Sequence, residues 1–240
     1  MPVLVVKEDG RGDLVETPLA APERNRRHRQ VTARVTPAGG LEGEYVLQSW
    51  GEWRVALSGL LEEARSAEKE DALAEILAWI CPGAVLKGHE VTPAPGPGDP
   101  VKLTARFEVP RFVLKAGASE LISPQLARLP QFAGIAAASE RRLPLFFRFL
   151  FTETSEIRLR LPPGRTLARV PSDRKAEGPG LLSVTSYEIL REAEGQTLVV
   201  KRTLTISRRE FPPADYPALR DFFSALARED AGAVTLAAGT

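Results

Sequence analysis

From Leu198 to Ile206 the chain places Leu198, Val200, Arg202, Leu204 and Ile206 on one parity and Val199, Lys201, Thr203 and Thr205 on the other. A backbone whose side chains alternate with period two can serve only as a strand. Just upstream, Leu182, Val184, Ser186, Glu188 and Leu190 trace a second such strand, with Tyr187 and Ile189 opposite. Glu194-Gly195 is a tight turn between them, so the pair reads as a β-hairpin.

The same alternation recurs along the chain. Val31, Ala33 and Val35 alternate with Thr32 and Arg34, Pro37 to Gly40 turns, and Leu41, Gly43, Tyr45 and Leu47 return. Val101, Leu103, Ala105, Phe107 and Val109 form another strand. Leu143, Leu145, Phe147, Phe149 and Phe151 share one face of an expected central strand, Glu153-Thr154-Ser155 turns, and Ile157, Leu159 and Leu161 face inward before Pro162-Pro163-Gly164 stops the strand. Val3 to Val6 reads as a short buried strand, and Asp9 to Asp13 as a hairpin turn.

Two stretches change period. Leu60, Leu61, Ala64, Ala67, Leu73, Ile76, Leu77 and Ile80 recur at helical spacing over roughly 58–81, as one helix with a weak point at Glu68 to Asp71 or as two short ones. Tyr216, Leu219, Phe222, Phe223 and Leu226 do the same over 214–228, with Asp215 placed to cap and Pro217 in the first turn. The expected fold is therefore mainly β, an antiparallel β-sandwich with about two covering helices. The expected organisation is a single domain over 1–240, with a subdivision into 1–92 and 101–240 at the Pro/Gly loop 93–100 left open.

Lys and Arg number 32 against 31 Asp and Glu. That balance gives no electrostatic case for nucleic acid, and the basic cluster Arg24, Arg26, Arg27, His28 and Arg29 reads as a solvated strand edge. Arg158, Arg160, Lys201 and Arg202 read as outward, solvated positions. No apolar run reaches the ~18 residues of a membrane span. The N-terminus lacks the pattern of a signal peptide, so either the protein is cytoplasmic or the chain is a fragment with its leader elsewhere.

Chemistry-bearing candidates are few. Cys81 is the one cysteine. It sits at the C-terminal end of an expected helix, where the dipole disfavours a thiolate, and reads as a packed side chain. His89 has no adjacent Asp or Asn to orient it. Trp50 and Trp53 flank Gly51 and Glu52; they read either as a sugar-stacking platform or as plugs in the end of a core. No catalytic, cofactor-binding or metal-ligating residues are assigned.

Arg142-Leu143-Pro144-Leu145, then the strand Ile157 to Gly164, then Asp215-Tyr216-Pro217-Ala218-Leu219-Arg220-Asp221-Phe222 follow in that order. Upstream come Thr17-Pro18, Pro22-Glu23, Asn25 and a hairpin around Gly39-Gly40 and Gly43. In this the chain resembles the C-terminal β-rich region of bacterial transglutaminase-like proteins, in which a papain-like core is flanked by domains of unknown function. The resemblance implies that the catalytic Cys, His and Asp lie outside this sequence; Cys81 does not correspond to the nucleophile. It implies a non-catalytic accessory or interaction domain beside a transglutaminase-like catalytic domain, in a periplasmic or secreted parent. A glycan- or peptide-binding sandwich using Trp50, Trp53 or a strand edge is the alternative, and a carboxylate-dependent hydrolase a remote one.

Overall fold

A computed structural model describes residues 2–8, 10–16, 18–63, 66–117, 119–192 and 195–238. Asp9, Thr17, Ala64 and Glu194, each part of an expectation above, lie outside the described residues. In chain order the elements are β1 (Pro2–Val6), β2 (Gly12–Glu16), β3 (Arg26–Val35), β4 (Leu41–Ser49), α1 (Glu52–Glu63), α2 (Ser66–Ile80), β5 (Val85–Thr92), β6 (Val101–Val109), β7 (Leu114–Ala116) and β8 (Ser119–Ile122). There follow β9 (Leu145–Phe146), β10 (Phe151–Arg160), β11 (Arg165–Leu167), β12 (Arg174–Gly178), β13 (Leu181–Glu192), β14 (Gly195–Ile206), β15 (Glu210–Phe211), α3 (Tyr216–Asp230) and β16 (Val234–Ala238).

The mainly β, antiparallel-rich architecture is as expected. One eight-stranded sheet runs in the order β12-β13-β14-β10-β3-β4-β6-β5. Its neighbours are antiparallel except where β10 meets β3, in parallel. That pair joins two antiparallel halves. The Pro/Gly stretch 93–100 connects two paired strands, β5 and β6. A four-stranded sheet, β11-β16-β8-β7, shares a core with part of the inner face.

Alternation sends one parity of each long strand inward. Val31, Ala33, Leu41, Tyr45, Leu103, Ala105, Ile157, Leu159, Leu198 and Val200 build one apolar cluster, with Leu57 and Leu61 of α1, Leu73 and Leu77 of α2, and Leu236. A second cluster holds Phe147, Phe151, Leu204, Ile206 and Phe211 against Tyr216, Leu219, Phe222, Phe223 and Leu226 of α3. Each buried Leu, Ile or Phe contributes roughly 1.5–3 kcal/mol through area removed from water.

Several expectations are corrected. The helical stretch is two helices, one of the two readings offered, but it begins earlier, at Glu52, so Trp53 lies in α1. The expected strand through Leu143 to Phe151 is mostly irregular: Leu145–Phe146 pair with β15, Phe151 opens β10, and Leu143 and Phe146 are exposed. Glu153 to Ser155 do not turn, because β10 continues through them between two partner strands. In β13 the buried parity is Leu181, Ser183 and Thr185, leaving Val184 exposed. β1 pairs only with β2, in a hairpin of its own, so Leu4 and Val6 are exposed rather than buried. Asp215 sits at the cap of α3 but its carboxylate accepts from Arg208 Nη1 at 2.7 Å instead of from the helix.

The junction between β4 and α1 explains the early helix. Gly51 has φ +59°, a left-handed conformation that favours glycine, and a Cβ there would overlap the Arg24 carbonyl and Asn25 Oδ1. That close approach lets buried Asn25 work twice. Its Oδ1 accepts the Glu52 N–H at 3.1 Å, and its Nδ2 donates to the Leu150 carbonyl at 2.9 Å. One side chain thus caps α1 and anchors the entry to β10. Asn25→Ala orphans both backbone groups and is expected to lower stability by about 2 kcal/mol, read as a lower urea midpoint with unchanged slope.

Candidate functional site

Between the two apolar clusters the inner face of the large sheet is polar. Register puts Thr185, Arg202, Ser155 and Arg29 side by side on β13, β14, β10 and β3. The next inward row carries Ser183, Leu204, Glu153, Arg27 and Ser49. Arg29 and Arg202 are 4% and 3% exposed, so these charges are core groups. The basic cluster on β3 is therefore not a solvated edge: β3 is an interior strand, and Arg27 and Arg29 have inward parity. Arg202 is likewise not an outward residue.

Glu153 joins the cluster. Arg27 donates to its Oε2 through Nε at 3.1 Å and through Nη2. Arg29 Nη2 meets its Oε1 at 2.7 Å. Burial by itself pushes the Glu153 carboxyl up, but Arg27, Arg29 and the more distant Arg202 together hold it below the usual carboxylate range. Burial, and then the neighbouring Arg27, lower Arg29, with Glu153 opposing. Burial raises the Tyr45 phenol beside them, against the pull of Arg29 and Arg27.

Further guanidinium donors of Arg29 and Arg202 hold an irregular segment. Residues 124–129 have no regular structure, yet Gln125, Leu126, Ala127 and Leu129 are buried. Buried backbone without secondary structure needs other partners. Arg29 Nη1 donates to the Arg128 carbonyl at 2.7 Å, and Arg202 Nη2 to the Ala127 carbonyl at 2.6 Å. Asp230, the last residue of α3, accepts from Arg202 Nη1 at 2.6 Å and from the Leu129 N–H at 2.8 Å. The cluster therefore pins the segment and the end of α3 to the sheet. Its groups face one another rather than a cleft.

Trp53 caps this cluster from one side. The Arg27 guanidinium lies 3.9 Å from its ring centre, and Phe149 and Phe151 meet it edge-on at 5.1 and 5.2 Å. Trp50 stacks with Arg26, 4.4 Å from its ring centre. Arg26 and Arg27 are consecutive on β3 and leave it on opposite faces, so the two indoles engage opposite sides of the strand. Cys81 is buried, which pushes its thiol up to about 11, while His89 is exposed on β5. Among the described residues, no group of three or more His, Cys, Asp or Glu could hold a metal ion, and no helix is long and apolar enough to cross a membrane.

Sequence reasoning missed Glu153, Arg29, Arg202 and Asp230. The signal was parity. Glu153 lies two residues from Phe151 and four from Ile157, Arg29 two from Val31, and Arg202 between Val200 and Leu204.

Residues 121–236 match the family described as a Domain of Unknown Function with solved-structure structure, DUF3858. No curated protein and no solved structure matches the chain. The matched region contains Glu153, Arg202, Asp230 and the pinned segment, whereas Arg27 and Arg29 precede it.

Glu153→Leu leaves two buried guanidiniums uncompensated and is expected to cost roughly 3–5 kcal/mol, more than Arg27→Met, which leaves the Arg29–Glu153 pair intact. Because folded Glu153 titrates below its unfolded value, its contribution is complete above the usual carboxylate range, near about pH 4, and is lost as pH falls through the folded value. Denaturation midpoints from neutral to acid pH check both, the acid loss being smaller in Glu153→Gln. Separately, Trp53→Ala is expected to destabilise the fold by about 2–4 kcal/mol, with no change in glycan-array binding that exceeds the loss of folded protein.

Proposed function

We propose that this chain is a non-catalytic accessory module of a transglutaminase-like protein, supporting a catalytic core or presenting substrate to it. The observation that carries the reading is where the reactive side chains are. The strongest charged constellation, Arg27, Arg29, Glu153, Arg202 and Asp230, binds itself and the backbone of 127–129 inside the fold. A general acid or base needs to reach a substrate proton, and Glu153, 3% exposed between two arginines, has no such access. The cysteine adds to this: a thiol raised to about 11 by burial is a poor nucleophile at neutral pH.

The order of short motifs that resembles the region following a papain-like core supplies the parent. The match of 121–236 to a family without an assigned function is compatible with it and names no activity. On this reading the eight-stranded sheet is a rigid support, and its partner is an adjacent transglutaminase-like domain. Assays of peptide hydrolysis and acyl transfer from glutamine to an amine, run on the purified chain, are expected to show no turnover above buffer. Turnover that disappears in Cys81→Ala or Glu153→Gln would overturn the proposal.

A further inference from the structure

A cleft of about 400 Å³ opens where the last turn of α3, strand β13 and the segment joining β11 to β12 meet. Arg169, Arg174 and Arg228 line it, and all three are exposed. Among the described residues none of them is paired with a carboxylate. This sets the cleft apart from two other depressions on the surface. In one of about 670 Å³ beside Pro162–Gly164, Arg34 is already bound to Glu42 at 2.7 Å. In one of about 240 Å³, Arg165 is bound to Glu120 at 2.8 Å.

The wall behind the three arginines is fixed and polar. Glu229 is buried, and its Oε1 accepts from Gln125 Nε2 at 3.0 Å and from the Tyr187 hydroxyl at 3.4 Å. Asp173, next to Arg174, is engaged in accepting the Tyr187 backbone N–H at 3.0 Å. Three arginines thus line a cleft whose one lining carboxylate is tied into the wall. Val170, Pro171 and Val234 supply apolar surface beside them. Planar guanidinium forks match the oxygens of carboxylates and phosphates, and several around one concavity favour such a group over water.

We propose that this cleft binds a small oxyanionic ligand, a carboxylate or phosphate held by Arg169, Arg174 and Arg228 with its remaining bulk against Val170 and Pro171. The site lies within the family-matched region, 121–236, and does not depend on the accessory reading above. The probes are citrate, a Glu-Glu dipeptide and inorganic phosphate, titrated to millimolar concentration at low ionic strength into the isotope-labelled chain. The expected result is saturable movement of the Tyr187 and Gly232 amide resonances with at least one probe. In Arg174→Gln/Arg228→Gln the affinity is expected to fall about tenfold or more, about 1.4 kcal/mol per decade, with the melting temperature unchanged. Arg34→Gln is expected to leave binding as it was. Binding of citrate and the dipeptide without phosphate assigns a carboxylate ligand; binding of phosphate assigns a phosphorylated one. The absence of saturable movement with all three probes, or equal affinity in the double variant, would overturn the proposal.

Discussion

The buried contact of Glu153 with Arg27 and Arg29 is the constraint around which the rest of the molecule is arranged. Two cationic side chains on the inward parity of an interior strand cannot be left in an apolar core. Parallel pairing sets Glu153 of β10 opposite Arg27 and one step from Arg29. A one-residue slip would turn the carboxylate to the other face and bury both guanidiniums unpaired. The ion cluster therefore contributes register more than net stability, since removing charges from water offsets much of what their attraction gains.

The second consequence is the covering of the sheet. Arg29 and Arg202 have donors left over after their carboxylates, and these reach the carbonyls of Arg128 and Ala127. An irregular segment can then lie in the core with the backbone of 127–129 held by side chains. Asp230 closes the arrangement from the end of α3. Strand, irregular segment and helix end meet through side-chain hydrogen bonds where no ladder could form. The polar band also lies between the aromatic-rich cluster under α3 and the cluster under α1 and α2.

Much of this was legible in the sequence, and the failures share a cause. Where alternation paired apolar with polar residues, as from Val101 to Val109, strand and buried face were both readable. The helical face of α3 was readable for the same reason. Charge overrode parity at Arg27, Arg29, Glu153 and Arg202, because a lone charged residue is usually solvated. Only a partner distant in the chain makes its burial tolerable, and no local pattern reveals that partner. The start of α1 was missed because its cap, Asn25, lies 27 residues upstream of Glu52. The arginine cleft was hidden similarly: Arg169, Arg174 and Arg228 come from a loop, a strand and a helix end.

The parallel seam between β3 and β10 carries a consequence for how the chain reaches this state. Arg27 and Glu153 are 126 residues apart, and the strands on either side of the seam pair mostly with near neighbours in their own half. Closing so long a loop costs only slightly more entropy than closing one half as long, but the contacts it makes are the least local in the sheet. Each half is internally antiparallel, β3-β4-β6-β5 on one side and β12-β13-β14-β10 on the other. What joins them is a zipper that must align two charged rows while expelling water from both. The least local pairing of the sheet is therefore expected to form late in folding, at the same joint that fixes the register.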